Sequence, residues 1–131
     1  MPLSLPALTT LLALLWYFVT IFQVGRMRTR YKVKAPATTG DPAFERAYRV
    51  QVNELENLVL FLPAMWIYAW FGNPRYAALA CSVYILGRIL YAVGYWTAAN
   101  KRGWGYMVAM FATSVTWVAA LIAVLKWVDF A

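Results

Sequence analysis

The sequence predicts an all-α membrane protein, a bundle of four transmembrane helices, and three observations carry that prediction. Of its 131 residues, 63% are hydrophobic and 13% are charged, where a soluble domain holds about 25% charged residues. The apolar residues fall in four blocks, the second completed by a polar lead-in. Each is long enough, at 1.5 Å rise per residue, to cross a hydrocarbon core of about 30 Å. Prolines, glycines and short charged runs separate the blocks. The expected spans are residues 3–30, 43–71, 75–99 and 104–128, within one domain covering 1–131.

Span 1 is too long for the apolar part of a signal peptide, and no basic segment precedes it, so it is read as retained. In the loop that follows, Pro36, Gly40 and Pro42 break any helix. Asp41 is placed to cap span 2, with Pro42 at the first helical position. Span 2 would then be roughly 45 Å long, longer than a bilayer core, so its first turns belong at headgroup depth or inside an oligomer. Pro63 should kink it, because its ring removes one backbone hydrogen bond. Gly72, Asn73 and Pro74 make a tight turn into span 3, and Lys101, Arg102 and Gly103 separate spans 3 and 4.

The net charge of +7 is unevenly placed. Arg26, Arg28, Arg30, Lys32 and Lys34 follow span 1, Arg46 and Arg49 open span 2, and Lys101 and Arg102 follow span 3. Only Arg75 and Lys126 lie on the other side. Basic loops stay cytoplasmic, so the first and third loops are expected in the cytosol, with the termini and the Gly72–Arg75 turn opposite. This pattern excludes a nucleic-acid partner; it orients the chain and suits anionic lipid headgroups. A bacterial inner membrane and a eukaryotic internal membrane both fit. Cys81 is the only cysteine and there is no histidine, so neither a disulfide nor a metal site is expected.

Two polar stripes sit where lipid would penalise them. A charge at the bilayer centre costs roughly 2.5–3.5 kcal/mol. On span 2, Glu45, Arg49, Asn53 and Glu56 share an arc of roughly 80°, while Gln51 and Glu54 point elsewhere. On span 3, Tyr84, Arg88, Tyr91 and Tyr95 share an arc of about 60°, which Arg102 joins if the helix continues past Tyr95. Gly87 and Gly94 flank this face and would let another helix approach closely. Guanidiniums hold carboxylates bidentately, a carboxylate holds an ammonium, and an amide holds peptide groups. A small zwitterionic peptide with more acids than amines fits that inventory. A phosphorylated lipid headgroup fits it too.

The run FERAYRVQVNELE followed by LFLPAMW, Phe44 to Trp66, resembles the second-helix signature of the membrane-associated proteins in eicosanoid and glutathione metabolism, the MAPEG family. The segment Arg88 to Tyr95 is similar to that family's third helix, and Thr38-Thr39-Gly40 also matches. The likeness covers about Arg28 to Arg102. It implies a homotrimer of four-helix subunits that binds glutathione between neighbours. By resemblance, the contacts would be Arg28, Arg49, Gln51, Asn53, Glu56, Arg88, Tyr91 and Tyr95. The arginine that activates the thiol would be Arg102, with Tyr95 assisting. The implied activity is that of a microsomal-type glutathione transferase, which conjugates glutathione to apolar electrophiles from the bilayer or uses it to reduce hydroperoxides. Leukotriene-type members have a tyrosine where this chain has Asn57 and an arginine where it has Thr29. Alternatives are a glutathione-dependent synthase or isomerase, a non-enzymatic lipid-binding member, and an unrelated transporter. Against the last, residues 58–71 hold no ionisable group except tyrosine.

Overall fold

The computed structural model describes residues 1–130. Four long helices follow one another: α1 Ser4–Tyr31, α2 Pro42–Phe71, α3 Pro74–Thr97 and α4 Gly103–Leu125. One 3-10 turn, Ala99–Arg102, joins α3 to α4. Short connections make neighbouring helices antiparallel. α2 and α3 pack on each other, and each also packs on α1 and on α4. The first and third loops therefore share one end of the bundle.

Local chemistry sets the helix ends. The Asp41 carboxylate accepts from the Ala43 N–H at 2.8 Å, with Pro42 at the first helical position, as expected. Asn73 caps α3 in the same way, accepting from Arg75 and Tyr76 N–H groups ahead of which stands Pro74. Lys32 takes a left-handed conformation (φ 56°) and closes α1. α2 runs through Pro63 without ending there, which a membrane helix tolerates when neighbours take up the freed backbone groups.

By length and composition, three segments are apolar enough to cross a membrane: α1, α3 and Ala99–Leu125. α2 is as long, at 30 residues. Its first half is too polar to join them, with Glu45, Arg46, Arg49, Glu54 and Glu56 in its opening turns. Large apolar side chains such as Leu11, Leu15, Phe18, Phe22, Phe111 and Trp117 face outward. The outward leucines and aromatics match a lipid environment, since a water-soluble monomer rarely shows apolar patches of this extent.

α3 and α4 meet backbone to backbone. A Cβ on Gly87 would stand 2.6 Å from the Ala109 nitrogen, and one on Gly105 would collide with the Tyr91 backbone. Gly87 thus admits a helix, as expected. Gly94 is approached instead by the Lys101 backbone of the 3-10 turn. That turn corrects the expectation for Arg102. α3 stops at Thr97 and Ala98 is extended, so Arg102 does not continue the helix; the chain folds back over Gly94 and brings Arg102 to the Tyr95 ring from the loop side.

Candidate functional site

At the loop end, an open cavity of about 650 Å³ is lined by Arg49, Val52, Asn53 and Glu56 of α2, Tyr91 and Tyr95 of α3, Arg102, and Tyr106 of α4. The α2 members recur at helical spacing on one face. Tyr91 and Tyr95 are one turn apart, their rings 5.6 Å from centre to centre. The Arg102 guanidinium lies 5.2 Å from the Tyr95 ring centre. Arg49, Glu56 and Arg102 are exposed. Arg49 and Glu56 make no side-chain hydrogen bond or ion pair among the described residues, so both charges are available to a ligand. A second cavity of about 630 Å³ includes Thr38, Thr39, Glu45, Arg46 and Tyr48. Arg49 and Tyr95 line both cavities and stand between them.

Behind this wall lies a buried polar cluster. Arg88 and Glu54 are both 0% exposed. Arg88 Nε donates to Glu54 Oε2 at 2.8 Å, and Arg88 Nη2 donates to Asn53 Oδ1 at 2.9 Å. The Tyr84 hydroxyl reaches Glu54 Oε1 at 3.4 Å. Asn57 Nδ2 donates to Asn53 Oδ1 at 3.2 Å and to its backbone carbonyl at 2.8 Å. The Arg88 guanidinium also sits 4.3 Å from the centre of the Tyr91 ring. Its Nη1 has no partner within the described residues.

Six of the residues expected at a site therefore share one cavity: Arg49, Asn53, Glu56, Tyr91, Tyr95 and Arg102. Three do not line it within a single chain. Arg88 is one layer behind. Arg28 donates to the Ala37 carbonyl at 2.7 Å and covers the Phe44 ring, tying the first loop to α2. Gln51 faces away from the cavity, as the helical wheel has it. The span-3 stripe consequently divides: Tyr84 and Arg88 turn to α2, while Tyr91 and Tyr95 reach the opening. Glu54 and Tyr106 are the residues that sequence reasoning missed. The signal for Glu54 was present in the 3–4 spacing of Phe44, Ala47, Val50, Leu58, Phe61 and Met65, all buried. Glu54 falls in that register, and an acid on a core stripe requires a cation opposite.

Fold and site together define a class: a helical membrane protein with an open cavity of guanidiniums, phenols, an amide and a carboxylate at one end. The chain belongs to the MAPEG family, whose family model matches residues 6–122. It is 47% identical over 120 residues to an uncharacterized protein of Synechocystis sp., covering 92% of this chain and 88% of that one. It is 43% identical over 88 residues to microsomal glutathione S-transferase 2 of Homo sapiens, covering 67% of this chain and 60% of that protein. It is 40% identical over 99 residues to leukotriene C4 synthase of Bos taurus, covering 76% and 66% respectively.

Proposed function

We propose that this chain is a membrane-bound glutathione transferase that joins glutathione to apolar electrophiles arriving from the bilayer. The observation that carries the reading is the shared cavity of Arg49, Asn53, Glu56, Tyr91, Tyr95 and Arg102. Glutathione has two carboxylates, one ammonium, two peptide units and a thiol. The cavity offers two guanidiniums, one carboxylate, one amide and three phenols, a complementary set. The names of two relatives, a glutathione S-transferase and a leukotriene C4 synthase, point the same way.

In this reading Arg49, Asn53, Glu56 and Tyr91 bind the tripeptide, while Arg102 and Tyr95 face its sulfur. A free thiol ionises near a pH of about 8.5, and the thiolate is the nucleophile. A guanidinium beside the sulfur favours the anion; lowering that pKa by two takes about 2.7 kcal/mol. The thiolate attacks an electrophilic carbon, a C–S bond forms, and the displaced group leaves with the bonding electron pair. The same thiolate would serve hydroperoxide reduction. The protein supplies position and charge; the nucleophile belongs to glutathione.

All four helices span the membrane in this reading, with the first and third loops cytosolic. Exposed Arg49 and Glu56 on a helix of membrane length need cover, because lipid offers no partner for a charge. A homotrimer provides it, and its neighbouring subunits bring Arg28 and Gln51 to the ligand. The decisive experiment replaces Arg102 with Ala. Turnover should fall about 10²–10³-fold while glutathione still binds, and the ultraviolet absorbance of the bound thiolate should fade at neutral pH. Unchanged thiolate absorbance together with unchanged turnover refutes the role.

A further inference from the structure

We infer that Glu54, acting through Arg88, is a positioning residue that makes Asn53 present its amide hydrogens to the ligand; this rests on the glutathione reading above. An asparagine side chain has an accepting oxygen and a donating NH2, and which end faces a ligand decides what it recognises. The Asn53 oxygen is fully engaged by protein: Arg88 Nη2 donates to it at 2.9 Å and Asn57 Nδ2 at 3.2 Å. Its NH2 makes no hydrogen bond within the described residues, and the side chain lines the cavity. Asn53 therefore meets a ligand as a donor. The group it suits is a peptide carbonyl or carboxylate oxygen of the tripeptide, not a peptide N–H.

Turning the amide over would set its NH2 against a guanidinium and a second NH2, three donors facing one another with no acceptor. The orientation is thus only as firm as Arg88. A guanidinium at 0% exposure is held there by an acid or not at all. Glu54 is that acid, gripping Nε at 2.8 Å. Because the guanidinium is a rigid planar fork, fixing Nε also fixes where Nη2 points. The same plane backs the Tyr91 ring at 4.3 Å, so one buried acid orients two residues of the cavity wall while touching neither the cavity nor its ligand.

The test is a double-mutant cycle on the full chain in lipid nanodiscs, read as glutathione affinity by calorimetry. Glu54→Gln keeps the side chain's size and removes its charge. Affinity should drop about tenfold, the scale of one well-placed hydrogen bond. Turnover at saturating glutathione should change far less, because Arg102 is untouched. In an Asn53→Ala background the same Glu54→Gln change should cost under about twofold, since the residue it acts through is gone. Should Glu54→Gln prevent folding, Asn57→Ala removes the other donor to the Asn53 oxygen and enters the same cycle with the same expectation. An equal loss in both backgrounds, or no loss in either, overturns the inference. The two readings fail differently: an unaltered protein that ignores glutathione sinks the proposed function and this inference with it. A protein that binds glutathione yet tolerates Glu54→Gln and Asn57→Ala sinks the inference alone.

Discussion

Both halves of α2 bury apolar side chains, but only the first adds a buried ion pair to that packing. From Leu58 onward, α2 meets α3 through Leu58, Phe61, Met65 and Ala69 against Ala77, Cys81 and Tyr84, an apolar cluster. Before Leu58, the same helix meets the same partner through the Glu54–Arg88 pair and the Arg88–Asn53 hydrogen bond, beside an apolar contact of Val50 with Tyr91 and Ala92. In water, burying apolar groups drives association; in lipid it does not, because acyl chains are as apolar as leucine. The apolar half therefore relies on close fit alone, and the polar half adds to it the cost of an unpaired charge. One half fits side chain to side chain. The other half ties its neighbours together by hydrogen bonds and leaves a polar cavity on its outer side.

Breaking the ion pair is the strongest way to test this contrast. Arg88→Leu or Glu54→Leu alone leaves a buried charge without its partner, which costs about 3–5 kcal/mol. Replacing both by Leu should recover much of that loss, and could approach the stability of the unaltered chain. Reversible unfolding in mixed micelles measures all three. Similar losses for the double and the single replacements would show that the charges do not act as a pair.

The apolar half offers the next smaller effect. The Phe61 and Tyr84 rings stack with centres 4.1 Å apart and planes within 2°. The coupling between them, from a cycle of Phe61→Leu and Tyr84→Leu, should be about 0.5–1.5 kcal/mol. Tyr84→Phe also tests the boundary between the halves, because its hydroxyl reaches Glu54 while its ring stacks on Phe61. If deleting the hydroxyl weakens the ion pair more than deleting the Phe61 ring does, the two halves are one network.

The helices, their order and the turns were legible because apolar length, Pro and Gly are read one segment at a time. Asp41, Pro42, Gly72 and Pro74 each stand where the sequence places them. The cavity residues were legible too, since Arg49, Asn53 and Glu56 mark a helical face by spacing alone. What escaped depended on two helices at once. Glu54 lies off the polar stripe and in register with the buried apolar one, which calls for a cation opposite; that the cation is Arg88 follows only from the packing of α3. Arg88 lies on the stripe with Tyr91, yet its side chain is taken up by the neighbouring helix before it reaches the opening. Arg102 reached Tyr95 by a 3-10 turn rather than by one more turn of α3, a route decided by backbone folding over Gly94. Tyr106 had no signal beyond its place near the start of α4, where Gly105 closes on the Tyr91 backbone.

The smallest expected effect lies at the far end of the apolar half, where one polar contact interrupts it. Trp66 Nε1 donates to the Thr10 hydroxyl at 3.0 Å, joining α2 to α1. Thr10 also donates back to the Pro6 carbonyl at 2.8 Å, one turn earlier on its own helix. Removing the Trp66 contact therefore strands no donor on Thr10, and hydrogen bonds between membrane helices average only about 0.6 kcal/mol. Trp66→Phe should cost about that much, together with the lost ring area. Thr10→Val in the Trp66→Phe background should cost less than in the unaltered chain. A cost near that of breaking Arg88–Glu54 would mean the apolar half also depends on polar ties, and the contrast between the halves would not stand.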